Sequence, residues 1–133
     1  MAVEIAPRAM RDLSELSCRR PGLVPVLGDA RQPQTVAPYI RSQADWIHQD
    51  LSIADQAETF VRMAGAFLRL GGTGLLSLKA ASERSSDGDD DSRFEKAAKI
   101  LRESELQVIE RINLKGLEEQ HVVFLVRKTA NSA

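Results

Sequence analysis

Residues 44–79, ADWIHQDLSIADQAETFVRMAGAFLRLGGTGLLSLK, decide the fold of this 133-residue chain. The run Ala44 to Gln49 reads as a strand. From about Asp55 to Leu70 the apolar residues Phe60, Met63, Ala64, Phe67 and Leu68 recur at the spacing that keeps one helix face against a core, and Leu75 to Leu78 reads as a buried strand. Strand, long helix and strand in this order predict parallel strands joined by a crossover helix. Between helix and second strand lies Gly71-Gly72-Thr73-Gly74, read as a helix C-cap and connection. A glycine-rich turn that cradles a nucleotide has the reverse context, strand first and helix second.

The pattern extends on both sides. Ala2 to Ile5 reads as the end of a strand. Pro7 suits the first turn of a helix reaching about Arg20, with Met10, Leu13 and Leu16 at helical spacing and Pro21-Gly22 to stop it. Leu23 to Leu27 predicts another strand, in which Pro25 requires an edge or a bulge because it lacks a donor. A weak helix is expected from about Pro33 to Ser42. Residues 81–91 carry five acids, three serines and a glycine, and predict an acidic flexible loop. Ser92-Arg93-Phe94-Glu95 has capping-box spacing for a helix to about Ser104. The last two strands, Leu106 to Ile112 and His121 to Arg127, are joined too closely for a crossover helix and should pair antiparallel. The class is α/β: one domain over residues 1–133, its sheet mostly parallel with a final antiparallel strand.

Composition sets the bounds on function. Apolar residues at 43% suffice for a core. Lone Cys18 can form neither an internal disulfide nor a cysteine metal site, which fits a reducing compartment. No apolar run approaches the ~18 residues of a membrane-spanning helix. Eighteen basic against nineteen acidic side chains give a net charge of −1, so the chain has no large positive field with which to hold nucleic acid unaided.

Ligands of open α/β sheets sit beyond the carboxyl ends of the strands. Four successive strands here finish on a charge: Glu4, Asp29, Asp50 and Lys79. Any one of them taken alone reads first as a solvated loop residue, since a strand end is where any sequence turns polar. Four on one rim would make a pocket for hydroxyls, an amino group and a cationic ligand. Glu4 has the most specific meaning, because an acid at the end of the second strand of a nucleotide-binding half accepts hydrogen bonds from both ribose hydroxyls of an adenosine ligand. His48 is expected to pack in a wall or core.

Five blocks then match in order. Val3-Glu4-Ile5 is followed by Arg11-Asp12-Leu13 on a helix. Pro25-Val26 runs through Gly28-Asp29-Ala30-Arg31-Gln32-Pro33, and Ala44-Asp45 through Asp50-Leu51-Ser52 to Asp55-Gln56. Gly71-Gly72 leads to Ser77-Leu78-Lys79-Ala80, and His121-Val122-Val123 to Val126-Arg127-Lys128. Together they resemble the fibrillarin family, especially its archaeal members, over nearly the whole chain. The resemblance implies a Rossmann-like sheet and S-adenosyl-L-methionine-dependent 2′-O-methylation of ribose in rRNA and tRNA. It implies cofactor contacts from Glu4, Ile5, Asp29, Ala30, Asp50, Leu51, Ser52 and Ile53, although the family has glutamine where this chain has Ile53. It implies a catalytic role for Asp50, Lys79 and His121: Lys79 the base, its affinity for protons lowered by burial or a neighbouring cation, Asp50 orienting it, and His121 placing the ribose.

The family's first catalytic lysine and its glycine-rich turn lie upstream of the residues matched here, so the chain reads as a C-terminal portion beginning at the family's second strand. Self-association of the isolated chain is therefore expected, through strand edges left without a neighbour. Implied partners are a box C/D guide RNA, the substrate RNA, a Nop-domain scaffold protein and a kink-turn-binding protein. The implied location is cytoplasmic for an archaeal-type member and nucleolar for a eukaryotic one. The alternative to an enzyme is a noncatalytic scaffold of the same fold that has lost cofactor binding.

Overall fold

A computed structural model of the chain describes residues 1–83 and 88–130. They form two compact units, Met1–Ser42 and a second from Gln43 onward.

In the first unit, β1 (Ala2–Glu4) and β2 (Pro25–Leu27) pair in parallel, Val3 opposite Val26, and α1 (Pro7–Ser17) joins them. Pro25 is the first residue of a strand whose one partner is β1, so its missing N–H breaks no ladder. Helix α1 stops three residues short of the sequence expectation. The weak helix expected near Pro33 is two separate 3-10 turns, Pro33–Thr35 and Ala37–Tyr39, each with a proline among its first two residues that fixes φ and withholds a donor.

The second unit holds β3 (Ala44–Asp50), α2 (Gln56–Phe67), β4 (Leu68–Lys79), α3 (Asp90–Arg102), β5 (Leu106–Asn113) and β6 (His121–Lys128). Its sheet runs β3-β4-β6-β5. β3 and β4 are parallel, while β6 is antiparallel to both β4 and β5, so three strands point one way and one the other. The antiparallel pairing expected of the last two strands forms. One sheet face carries Leu76, Leu78, Val122, Phe124 and Val126, which join Phe60, Ala64, Phe94, Ala97 and Leu101 of α2 and α3 in a single buried core. Along β4 and β6 burial alternates, as period two requires of a sheet packed on one face.

Three local expectations are corrected. Gly71-Gly72-Thr73-Gly74 is no helix cap: α2 ends at Phe67 and the chain turns directly into β4, within which Gly71 takes φ +75°. The register jumps there, from Ala44 opposite Leu68 to Trp46 opposite Thr73, so the glycines absorb extra length as a bulge. The carbonyls at the end of α2 are instead satisfied from a distant strand: Lys128 Nζ, only 2% exposed, donates to the carbonyls of Ala64, Gly65 and Leu68.

Helix α3 starts three residues earlier than the capping box predicted. Asp89 is its N-cap, accepting from the Ser92 N–H at 2.8 Å, and that bond holds the Asp89 carboxyl below its ordinary range. The acidic loop is correspondingly narrower than 81–91, since Ala80–Ser82 is a 3-10 turn and Asp90 is helical. Residues 84–87 of it lie outside the described residues.

Candidate functional site

Three of the predicted site residues converge at one end of the second unit's sheet. Asp50 closes β3 opposite Ser77, Lys79 closes β4, and His121 opens β6 directly opposite Lys79. Because alternate residues of a strand share a face, Asp50, Ser77, Lys79 and His121 all project from the face opposite α2 and α3. The Ala80 N–H donates to the Gln120 carbonyl, which makes Lys79 and His121 a non-hydrogen-bonded pair, the closer kind, with Cβ atoms about 4.5–5.5 Å apart.

The His121 ring is held. Its Nδ1 lies 2.9 Å from the Glu119 carbonyl oxygen, which can only accept, so Nδ1 carries a proton and Nε2 of the neutral ring is an acceptor. The Glu118 carboxylate is a further 3.6 Å neighbour of Nδ1. The ring is 14% exposed, and its place opposite the last residue of β4 explains why it is partly covered while remaining at the sheet's end. Lys79 and Asp50 are exposed, so the burial expected to act on Lys79 is not there.

Backbone order around Lys79 comes from a buried amide. The Gln56 side chain, fully buried, accepts from the Lys79 N–H at 3.0 Å and donates to the Lys79 carbonyl at 3.0 Å. Gln56 Nε2 also donates to Glu83 Oε1 at 2.9 Å, and that oxygen accepts the Gln56 N–H at 3.1 Å, serving as the N-terminal cap of α2 that Asp55 does not supply. Burial raises the Glu83 carboxyl above its ordinary value, and the bonds from Gln56 oppose that rise only in part. Buried Gln49 completes the cluster, donating to the Gln56 carbonyl at 2.8 Å.

After β3, Leu51, Ser52 and Ile53 form the loop into α2. Ser52 lines an open cleft of roughly 480 Å³ together with Ala54, Lys79, Ala81 and Ser82. His48 is not a packed core residue: it is exposed, with Nε2 3.0 Å from Ser77 Oγ and its ring tilted against Trp46. Period two explains the difference, since His48 shares the Asp50 face and its neighbour Gln49 takes the buried one.

Glu4 and Asp29 belong to the first unit, at the carboxyl ends of the parallel pair β1 and β2. Glu4 Oε1 accepts from the N–H groups of Ile5 and Ala6, both at 2.9 Å. This caps α1, whose N-cap Ala6 has no side chain able to do so, and leaves Oε2 for another donor. Exposed Ile5 follows, 55% accessible. The Asp29 carboxylate takes a two-pronged bond from the Arg31 guanidinium, 3.0 Å on each oxygen, which holds it below the usual carboxylate range. The Asp29 N–H is bound to Thr35 Oγ1 at 2.9 Å, so Asp29 and the neighbouring Ala30 sit in a loop tied by its own side chains.

Sequence reasoning missed Gln49, Gln56 and Glu83 as an ordering cluster. A glutamine beside the start of a helix carries no signal of its own; only the register of β4 reveals what it meets. Among the described residues no group of three or more His, Cys, Asp or Glu side chains is arranged to hold a metal, and no helix is long and apolar enough to cross a membrane.

Comparison with known proteins shows what the chain is similar to. The family model described as Fibrillarin matches residues 1–130. A fibrillarin-like rRNA/tRNA 2′-O-methyltransferase of Methanocaldococcus jannaschii is 33% identical over 126 residues, which are 93% of this chain and 53% of that protein. The solved structure of Aeropyrum pernix fibrillarin, in complex with natively bound S-adenosyl-L-methionine, superposes with a TM-score of 0.79 at 30% identity, covering 93% of this chain and 53% of that one. A fibrillarin/Nop5p complex contains a chain with a TM-score of 0.88 at 24% identity, covering 96% and 59%, a likeness of fold. The expected Rossmann-like methyltransferase architecture is thus what forms, and the chain spans about half the length of the curated relatives it matches.

Proposed function

Because the chain belongs to the fibrillarin family, we propose that it carries the acceptor-side catalytic residues of an S-adenosyl-L-methionine-dependent RNA 2′-O-methyltransferase. The observation that supports this most is the register of β4 against β6, with Lys79 opposite His121 and Asp50 ending the adjacent parallel strand on the same face. A lysine, a carboxylate and a histidine with a fixed acceptor nitrogen are the groups that proton removal from a ribose hydroxyl calls for.

The residues of the first unit suit the cofactor. Glu4 has one oxygen occupied by backbone and the other left to accept from vicinal hydroxyls, an acceptor that fits the ribose of an adenosine ligand. The family resemblance assigns Ile5, Asp29 and Ala30 to its adenine, and Asp50, Leu51, Ser52 and Ile53 to its methionine end. When bound, S-adenosyl-L-methionine supplies an electrophilic methyl group on a sulfonium. Lys79 Nζ, in its neutral form, takes the proton of the ribose 2′-hydroxyl. Asp50 orients the Lys79 ammonium that results. His121 offers Nε2 to a hydrogen-bond donor of the substrate RNA beside that ribose, such as the 2′-hydroxyl of the adjoining nucleotide, and so holds the ribose for an in-line approach. RNA presentation falls to partners, in keeping with a net charge of −1: a box C/D guide RNA, a kink-turn-binding protein, and a Nop-domain scaffold of the sort that the fibrillarin/Nop5p complex contains.

The test joins the N-terminal half of the Methanocaldococcus jannaschii relative to this chain and reconstitutes the product with guide RNA and both partner proteins. Transfer of a labelled methyl group to the target ribose is expected, with Lys79→Ala losing at least about a hundredfold in rate while cofactor affinity by calorimetry is kept. Unimpaired turnover of Lys79→Ala would refute the assignment. The chain itself is titrated alongside, and absence of heat at high S-adenosyl-L-methionine would support the noncatalytic alternative for it.

A further inference from the structure

The last backbone pair of β3 and β4 is Asp50 opposite Ser77, yet β4 continues two residues further to Lys79. On the β6 side Lys79 faces His121 as a non-hydrogen-bonded pair, so its N–H and C=O point the other way, toward ground that β3 no longer covers. Left there, both would need water or another partner. The primary amide of Gln56 presents a donor and an acceptor side by side, as a neighbouring strand would, and takes up both groups at 3.0 Å. One side chain thereby lengthens the ladder beyond the end of β3.

We propose that Gln56 is the positioning residue for Lys79, fixing the backbone from which the Lys79 side chain is aimed. The inference rests on Lys79 being the base in the reading given above. Gln56 is itself fixed: it is fully buried at the first position of α2, its backbone N–H and side-chain nitrogen both bind Glu83 Oε1, and its carbonyl accepts from Gln49. The residue after Lys79 is tied as well. The Ala80 N–H donates to Gln120, and the Ala80 carbonyl accepts from Arg93 at 3.3 Å. Lys79 is therefore an exposed side chain on a backbone held from two elements, and a rigid backbone below a mobile head is what repeated placement of a base requires. A misplacement of about 1 Å at such a group costs on the order of a hundredfold in rate.

Two variants test this. Gln56→Met keeps the volume and removes both bonds to Lys79, and Gln56→Ala removes the side chain. In the chain itself, amide hydrogen exchange at Lys79 should accelerate at least about tenfold in Gln56→Met while the amides of Leu76 and Phe124 keep their protection. In the reconstituted fusion, kcat should fall about tenfold or more with cofactor affinity unchanged, and Gln56→Met should add nothing in a Lys79→Ala background. Unchanged Lys79 exchange, or an unchanged kcat, in Gln56→Met would overturn the proposal. Normal turnover of Lys79→Ala would overturn the function reading alone, because the exchange measurement makes no use of activity.

Discussion

The ammonium of Lys128 lies 2.9 Å from the carbonyl oxygen of Leu68, sixty residues away in sequence, and closes the end of the helix that the glycines after it do not close. All three of its donors are used on carbonyls of one helix terminus, where a cation also meets the negative end of the backbone dipoles. Lys128→Met preserves the bulk and takes this donor from the carbonyls of Gly65 and Leu68, while that of Ala64 keeps the Leu68 N–H. A loss of about 3 kcal/mol in unfolding free energy is expected, measured by urea denaturation of the chain. A change below about 0.5 kcal/mol would show the carbonyls to be satisfied without the lysine.

Gly74 is demanded by packing. A Cβ placed there would stand 2.7 Å from Phe60 Cζ and 2.9 Å from Val126 Cγ2, and both are fully buried. Gly74→Ala should destabilise the second unit by about 1–3 kcal/mol, with a lowered denaturation midpoint. The partner substitution Phe60→Leu should recover part of that loss, and a neutral Gly74→Ala would count against the close approach.

Glu83 makes stability depend on pH. Its carboxyl is raised from an ordinary value of 4.5 chiefly by burial, so the folded state binds a proton more readily than the unfolded one. Its favourable contribution is fully present below the unfolded value and is lost as pH rises from about 4.5 through the folded value. Glu83→Gln keeps an acceptor for the Gln56 N–H and removes the titration. Denaturation midpoints taken between pH 4 and 7 should therefore decline less with rising pH in the variant, and parallel profiles would show that Glu83 is not responsible.

Glu4 separates capping from binding. Glu4→Gln retains an oxygen for the N–H groups of Ile5 and Ala6, whereas Glu4→Ala retains none. In the fusion, both should weaken S-adenosyl-L-methionine by about tenfold or more, but only Glu4→Ala should also lower thermal stability. Equal affinity of wild type and Glu4→Gln in calorimetry would remove Glu4 from the ribose assignment.

The elements were legible where period and composition agree. The apolar repeat of α2 and the alternation of β6 name their buried faces directly, and the close spacing of the last two strands gave their antiparallel pairing. The ends were harder. Glycines after an apolar helix resemble a stop, and nothing local shows that Lys128 ends α2 in their place. Asp89 outcompetes Ser92 as a cap because a carboxylate one residue before the helix reaches the free N–H groups first. At the site, Asp50, Lys79 and His121 were readable from strand ends and the family pattern. The buried amides beneath them were not, since Gln49 and Gln56 acquire meaning only when two strands of unequal length lie side by side.

One strand bears the consequence. β6 begins with His121 facing Lys79 and ends with Lys128 gripping α2, eight residues from first to last. A slip of one residue in that strand would turn the histidine to the other face and pull the ammonium off its carbonyls in the same movement. Errors in β6 would therefore be seen by quality control as well as by substrate, so an inactive but persistent protein would be rare among its variants.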